Sequence, residues 1–457
     1  MPSENTFIET LADAAMNMRH ADIPEDVRAQ TRLCILDTIG CMLAGRDDPD
    51  VQLFHRIEAK DGAAQACAIT ASQPMDMVSA MRINGYAGDV MEMNDLIGGH
   101  AGIGNVTASL AIAQQVGASG AELIEAVVRG IEITSRVYSA IYDNLKPYTE
   151  VGISSVGVPS TIGVAAAASS LLKLDREATA QAMAIAASLA NWCPAEVIFG
   201  AGGKIKPSMF GSLPAENGWR GAWHAKHGMT GPLRILESPM GYFPTMANAV
   251  DATKLREAPD GWYLRSPRRK LHACCGYIHS ALDLLAKMRE THAGLDGVAV
   301  VEVGMPPFVI PAVSKTALPT SPSEARFHAE YCLALVAAGE NVIGKDHSSR
   351  FESNLSKPAV RQWLPRIAIR EDSALTHYHQ CTITLRDADG RTLTKDANAA
   401  PKGSAANPLT ERELIEKFRA QTPAGAATAI DAYLKKVQAM ETFTQCDWLI
   451  TDLTGLH

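Results

Sequence analysis

One short segment of the sequence combines two carboxylates, two glycines and a histidine. Glu92 and Asp95 are followed by Gly98, Gly99 and His100. Because the reference pKa of histidine is close to neutrality, His100 can both accept and release a proton. We therefore expect His100 to be an acid/base group, with Glu92 or Asp95 orienting its ring or contacting a substrate. The same pattern also fits a helix end that carries a surface histidine.

Two lysines are candidates for binding an anion. Lys206 precedes Pro207 in an otherwise apolar region, and Lys270 ends a basic run of three residues. A partly desolvated lysine has a lowered pKa and a stronger attraction for an anion. We expect Lys206 and Lys270 to bind or stabilise a negatively charged group, although exposed loop lysines are more common.

Residues 268–279 contain histidines and cysteines close together. His272, Cys275 and His279 are candidates for contact with a substrate. Zinc is a less attractive interpretation, because two adjacent cysteines cannot easily reach one tetrahedral ion and the sequence has no CxxC or HxxxH pair. We therefore expect no metal. Tyr148, in a tyrosine-rich segment, and Cys275 are weaker candidates for a second proton donor.

The composition excludes several functional classes. The formal net charge is −8 and no basic stripe is visible, which argues against binding of nucleic acid. No P-loop, dinucleotide fingerprint or GxSxG motif is present, and we expect no cofactor. No stretch of 18 apolar residues and no secretory signal at the N-terminus appear. Nine cysteines without a CxxC pair favour reduced thiols. We expect a cytoplasmic protein that does not bind membranes.

Helical patterns position the first group of candidates. Apolar residues recur with helical spacing in residues 27–44, 161–172 and 178–190, and Ser119 with Glu122 forms a capping-box pattern. We predict that residues 1–266 form one helical domain.

Strand signals begin after Pro267. They occupy residues 298–303 and 382–394, where Asp389 and Gly390 indicate a hairpin turn, and Ser323 could cap a helix that runs to Ala338. Helical patterns return after Asn407. The sequence therefore predicts a mainly α protein, with an α+β unit over 267–405 and C-terminal helices over 406–457 that rejoin the first domain.

An ordered set of motifs across nearly the whole chain resembles the MmgE/PrpD family. The motifs are Asp37 to Gly45, Asn84 to His100, Lys206-Pro207, Lys270 to His279 and Asn407 to Thr410. The resemblance implies a large helical domain built from both ends of the chain, with the α+β unit as a lid, and a homodimer. It also implies a metal-free cleft that binds a small polycarboxylate, with His100, Lys206 and Lys270 at family site positions.

The motifs also depart from those of known members. Leu96 stands where dehydratases and decarboxylases of the family carry a threonine, and Ser154 and Ser155 lie where a histidine is expected. Cys275 replaces a further site histidine of the aconitate decarboxylases. These differences suggest a substrate other than 2-methylcitrate or cis-aconitate.

Three functions fit this reading of the sequence. The first is a dehydratase-type lyase, and the second is an epimerase of an amino- or imino-dicarboxylate, similar to iminodisuccinate epimerase. Both take a proton from a carbon next to a carboxylate, and cations must stabilise the charge that develops. The third is a protein that only binds small anions, which the combination of His100 with two lysines disfavours.

Overall fold

A computed structural model describes residues 5–60, 63–191, 193–199 and 203–456. Residues 1–4 and 457, at the outer ends of the predicted domains, lie outside the described residues. The first part of the chain is helical. Its helices are α1 Phe7–Met16, α2 Glu25–Gly45, α3 Pro49–Glu58, α4 Met77–Asp89, α5 Ala101–Val116, α6 Gly120–Tyr142, α7 Tyr148–Val151, α8 Val158–Leu171, α9 Arg176–Leu189, α10 Ala195–Phe199, α11 Ser212–Lys226, α12 Tyr242–Met246 and α13 Thr253–Arg256.

The predicted helices of this part are confirmed. The side chain of Ser119 accepts a hydrogen bond from the Glu122 amide and that of Glu122 accepts one from the Ser119 amide, so the capping box starts α6. Helix α8, which is rich in alanine, is buried along its length and packs against α5, α6, α9 and α11. Its small side chains allow the neighbouring helices to approach closely.

The middle of the chain contains all four strands of the described residues. Its elements are α14 His279–Thr291, β1 Val300–Met305, α15 Ile310–Val313, α16 Pro322–Arg326, α17 Ala329–Ala337, α18 Lys345–Ser349, α19 Phe351–Ser356, α20 Pro358–Trp363, β2 Ile367–Glu371, β3 Cys381–Arg386 and β4 Thr392–Asn398.

These strands form one mixed sheet in the order β2-β1-β3-β4. Strand β1 pairs in parallel with β2 and antiparallel with β3, which forms the predicted hairpin with β4. Helices α14 and α17 pack against the sheet. Strand β2 was not predicted, because it is only five residues long and lacks a clear apolar alternation.

The helix predicted from Ser323 to Ala338 is wrong in its start and its continuity. Ser321, not Ser323, caps α16 by accepting a hydrogen bond from the Glu324 amide. Helix α16 ends at Arg326, and His328 then caps α17 through a 3.2 Å hydrogen bond from the Tyr331 amide to its Nδ1 atom. Because the His328 side chain caps α17, the helical pattern that looks continuous in the sequence is divided into two helices.

Helices at the end of the chain pack against the first part. They are α21 Glu411–Arg419, α22 Ala427–Gln438 and α23 Trp448–Thr454. Helices α21 and α22 contact α2, and the buried Lys417 of α21 forms a 2.7 Å ion pair with Asp37 of α2. Phe418, Leu449 and Ile450 belong to the same apolar cluster as α1, α2 and α6.

Buried apolar residues form two separate clusters. One joins the helices of the first part, except α10, to α21, α22 and α23, and the other lies between the sheet and helices α14 and α17. The second cluster also takes in Ile103, Met209 and Phe210 from the first part of the chain. The two parts therefore meet around α5 and residues 209–210. The exact domain boundaries, and a lid role for residues 267–405, stay predictions.

None of the described helices combines the length and apolar character that a membrane crossing requires.

Candidate active site

The connection between α4 and α5 carries most of the candidate side chains. It runs from Asp89, the last residue of α4, to His100, which precedes α5. Glu92 and His100 both adopt left-handed backbone conformations, with φ angles of 54° and 76°. Such a conformation is uncommon for a non-glycine residue and costs about 1–3 kcal/mol, so the surrounding structure must hold both residues in place.

Two lysines from distant parts of the chain meet the carboxylates of this connection. Lys206 Nζ lies 3.1 Å from Asp89 Oδ2 and also forms an ion pair with Glu92. Lys270 Nζ donates to the second Glu92 oxygen, Oε2, at 2.7 Å. All four side chains are buried. Two ammonium groups thus face two carboxylates, and their mutual pairing offsets the large cost of burying each charge.

Burial also changes the pKa of the two lysines. It lowers the pKa of both ammonium groups from the ordinary value of 10.5, and the nearby charge of Asp89 opposes that shift. Among the described residues Lys270 Nζ has a single hydrogen-bond partner, Glu92, although an ammonium can donate three hydrogen bonds. Lys270 therefore has donors left for a substrate.

His100 lies beside this cluster of charges. Its Nδ1 atom is 2.5 Å from Asn94 Oδ1, and Asn94 Nδ2 donates to the carboxylate of Asp89. The imidazole stacks on Phe210 with 4.8 Å between ring centroids. Burial, aided by the charge of Lys270, lowers the pKa of His100 well below its ordinary value. The ring is therefore neutral at neutral pH and retains a lone pair that can accept a proton.

Cys275 and Tyr148 form a second group of potential proton donors. Cys275 is buried, and burial raises the pKa of its thiol while the charge of Lys270 opposes the shift. Burial likewise raises the pKa of the Tyr148 hydroxyl, and hydrogen bonds with Tyr277 and Ser155 oppose that effect. Both groups are protonated at neutral pH, as a proton donor must be.

Three other candidates contact mainly protein groups. Asp95 Oδ1 accepts hydrogen bonds from the Ile97 amide at 2.9 Å and the Gly102 amide at 3.3 Å, at the start of α5. A Cβ atom at position 102 would collide with the Asp95 carboxylate. This close approach explains the glycine and makes Asp95 an anchor for the helix, and burial raises its pKa to about 6.

The rings of His272 and His279 pack against each other, with 5.0 Å between their centroids. His272 Nε2 is 2.9 Å from Asp283, and its Nδ1 accepts from the Ile343 amide at 3.1 Å. His279 Nε2 lies 3.3 Å from the Cys274 carbonyl. Because both nitrogens of His272 already have protein partners, it has none left for a substrate. His279 is also buried.

Three residues near the site were not predicted from the sequence: Asp89, Asn94 and Arg268. Glu92 or Asp95 was expected to orient His100, whereas Asn94, which is hydrogen-bonded to Asp89, makes that contact. The spacing of six residues between Asn94 and His100 gives no signal in the sequence, so only the conformation of the loop reveals the contact.

Arg268 is the third missed residue. Its Nη1 atom donates to the Tyr378 hydroxyl at 3.2 Å, and its carbonyl accepts from the Leu96 amide at 2.9 Å. Within the described ranges no carboxylate forms an ion pair with this guanidinium. Tyr138, which packs against Gly99, lies near enough for the positive charge of Arg268 to oppose the rise in its pKa that burial causes. Arg268 is thus a cation near the site that has no counter-ion from the part of the chain described.

A small cleft opens to solvent beside Glu92 and Lys206. Residues from both parts of the chain line it, including Tyr86 and Lys204 from the first part and Arg326 and Phe327 from the middle part. His100 and Lys270 are not among the residues that line this cleft. In the portion of the chain that the structure covers, no three His, Cys, Asp or Glu side chains are arranged to hold a metal ion. The expectation of a metal-free site stays a prediction.

Comparison with known proteins gives consistent matches over most of the chain. The MmgE/PrpD N-terminal domain matches residues 9–254, and the MmgE/PrpD C-terminal domain matches residues 272–439. The chain is 25% identical to the human cis-aconitate decarboxylase, over 98% of this chain and 95% of that protein. It is 25% identical to the cis-aconitate decarboxylase-like protein oryM of Aspergillus oryzae, over 92% and 90% of the two chains. The cis-aconitate decarboxylase of Aspergillus terreus is 24% identical, over 91% and 88%.

Proposed function

Because this chain belongs to the MmgE/PrpD family, we propose that it is a lyase of the dehydratase type that acts on a small di- or tricarboxylate. The observation that carries the proposal is the position of His100, which is linked through Asn94 to the buried cluster of Lys206, Lys270, Asp89 and Glu92. A neutral imidazole can remove a proton, and the adjacent ammonium groups can stabilise the negative charge that results. Similarity to cis-aconitate decarboxylases supports a carboxylate substrate.

The first step is removal of a proton from the carbon next to a carboxylate. His100 takes this proton, and the electron pair of the broken C–H bond moves toward the carboxylate. Lys270 has free donors and would hold that carboxylate, so that its ammonium opposes the developing charge. In the second step the C–O bond at the neighbouring carbon breaks and an alkene forms. The leaving hydroxyl takes a proton from Tyr148 or Cys275 and departs as water.

A second carboxylate of the substrate needs a second cation. Arg268 fits this role, because its guanidinium has a tyrosine hydroxyl and no carboxylate as a described side-chain partner. Guanidinium groups bind carboxylates through two parallel hydrogen bonds, which would fix the orientation of the substrate. Lys206 is held by Asp89 and Glu92 and would contribute mainly charge.

Epimerisation is a second candidate function, which the surroundings of Leu96 favour. A Cβ atom at Gly276 would lie 2.9 Å from Leu96 Cδ1, so this apolar side chain fills space beside Cys275. Leu96 cannot protonate a leaving group. An epimerase needs no leaving-group acid, only a base on one face of a carbon and a proton donor on the other. His100 would remove the proton, and Tyr148 or Cys275 would return one to the opposite face.

The reactions can be separated by incubating the purified protein in D₂O with citrate, cis-aconitate or aspartate. Ultraviolet absorbance of a new unsaturated acid supports the dehydratase reaction. Release of carbon dioxide from cis-aconitate would instead show that the enzyme is a decarboxylase. Incorporation of deuterium at the α-carbon without formation of an alkene would instead show that the enzyme is an epimerase. His100→Ala is the control for each signal. A signal that persists in this variant, or no reaction with a wider set of hydroxy-, unsaturated and amino-polycarboxylates, contradicts the proposal.

A further inference from the structure

A chain of polar contacts leads from Lys206 to His100. Lys206 Nζ lies 3.1 Å from Asp89 Oδ2, and the other Asp89 oxygen accepts a hydrogen bond from Asn94 Nδ2. Asn94 Oδ1 in turn lies 2.5 Å from His100 Nδ1. Asp89 and Asn94 are almost completely buried, at 0% and 1% exposure, so water cannot replace these contacts.

The chemistry of these groups sets the direction of each hydrogen bond. An ionised carboxylate only accepts hydrogen bonds, so the Asn94 atom that faces Asp89 must be the NH₂ group. The amide oxygen of Asn94 must then face His100. Since that oxygen only accepts, His100 Nδ1 carries the hydrogen, and in a neutral imidazole the lone pair is left on Nε2.

We propose that Asp89 and Asn94 are positioning residues that hold His100 in its Nδ1–H tautomer, so that Nε2 is the atom that accepts the substrate proton. This inference deepens the proposed function, because it rests on His100 as the base. The opposite tautomer would present an N–H to the substrate and could not accept a proton. Nε2 has no hydrogen-bond partner among the residues that the structure describes, and residue 100 as a whole retains some exposure to solvent.

The other groups around His100 do not determine the tautomer. Phe210 stacks on the ring face and offers no hydrogen bond in the ring plane. The charge of Lys270 disfavours the imidazolium, which keeps the ring neutral, but it makes no hydrogen bond with either ring nitrogen. Lys206 pairs with Asp89 and Glu92, and Glu92 pairs with Lys270, but neither Lys206 nor Glu92 forms a hydrogen bond with a ring nitrogen of His100. Asn94 is therefore the contact that selects the tautomer.

Nitrogen NMR of the full protein labelled with ¹⁵N-histidine tests the tautomer directly, with His100→Gln identifying the His100 signals. We expect a protonated Nδ1 and an unprotonated Nε2 in the wild type. Asp89→Asn keeps the shape but adds a donor, which allows the Asn94 amide to turn its NH₂ toward the ring. We expect the Nε2–H tautomer to appear in this variant. Asn94→Leu, which removes both hydrogen bonds, should give a mixture of tautomers.

Glu132→Gln is the matched control. It makes the same carboxylate-to-amide change at a buried residue of α6 that contacts residue 264 and not His100. Its His100 signals should equal those of the wild type, and histidine signals elsewhere report whether each variant is folded.

Turnover gives the second readout. We expect Asp89→Asn to lower kcat by about 10²–10⁴-fold with a smaller change in KM, because the wrong tautomer removes the base without removing a substrate contact. An Nε2–H tautomer in the wild type, or an unchanged tautomer in Asp89→Asn, overturns the inference. The spectra need no substrate. If the spectra show the expected tautomer but the protein turns over no carboxylate, the proposed function is contradicted and this inference is not.

Discussion

The ion pair between Lys417 and Asp37 joins the last part of the chain to the site. Lys417 Nζ lies 2.7 Å from Asp37 Oδ1 and donates to the Met93 carbonyl at 2.8 Å. The two side chains are 6% and 5% exposed. Burial alone would lower the pKa of Lys417, but the Asp37 carboxylate raises it, so the lysine is charged. The Met93 carbonyl lies between Glu92 and Asn94, and this contact therefore supports the connection that carries the site.

We expect Lys417→Met to destabilise the protein by about 3–5 kcal/mol, because the substitution leaves the Asp37 charge buried and unpaired. The double variant Asp37→Leu with Lys417→Met buries no charge and should recover most of that loss. Urea denaturation of the wild type, both single variants and the double variant measures these free energies of unfolding. We also expect kcat to fall in Lys417→Met, since the Met93 carbonyl loses its donor.

Two results would refute this reasoning. A loss below about 1 kcal/mol in Lys417→Met would mean that the pair is exposed to solvent, since exposed pairs contribute that little. A double variant no more stable than Lys417→Met would mean that the unpaired charge is not the cause. The exposed pair between Lys436 and Asp452 provides the control, and Lys436→Met should change the stability by no more than about 1 kcal/mol.

Five further predictions concern the site and the assembly. His100→Ala should lower kcat by about 10²–10⁴-fold without altering the midpoint of thermal unfolding by more than a few degrees. Because burial and Lys270 hold the pKa of His100 well below 6.5, kcat/KM should stay level as the pH falls from about 8 to 6.5, and a decline centred near 6.5 would contradict this. Arg268→Gln should raise KM by about 10–100-fold with little effect on kcat, as expected for a lost charged hydrogen bond; Arg265→Gln, which removes a surface ion pair with Asp26, is its control. EDTA should leave activity unchanged, and sedimentation should give a dimer of the 48.8 kDa chain rather than a monomer.

Several local features could be predicted because neighbouring residues determine them. The capping box of Ser119 and Glu122 and the turn at Asp389 and Gly390 depend on contacts within a few residues. Such patterns locate α6 and the β3–β4 hairpin without knowledge of the rest of the chain. The break between α16 and α17 was missed because the capping role of His328 depends on its side-chain conformation.

The sequence by itself determined the family, the helical character of the first part and the residue types that can do chemistry. His100, Lys206 and Lys270 could be proposed as site residues from their types and motifs. Their partners could not, because Glu92 and Lys270 are 178 residues apart and Asp89 and Lys206 are 117 apart. Hydrogen bonds and ion pairs act over a few ångströms of space, whatever the separation along the chain.

The tertiary structure therefore decided which candidates act together. It places Asp95 at the start of α5 and His272 against Asp283, where protein groups occupy their polar atoms. It brings Asn94, which the sequence did not single out, to His100, where its amide selects the ring nitrogen that carries the proton. A residue type limits the chemistry that is possible, whereas the packing around it sets its charge, its tautomer and its free donors.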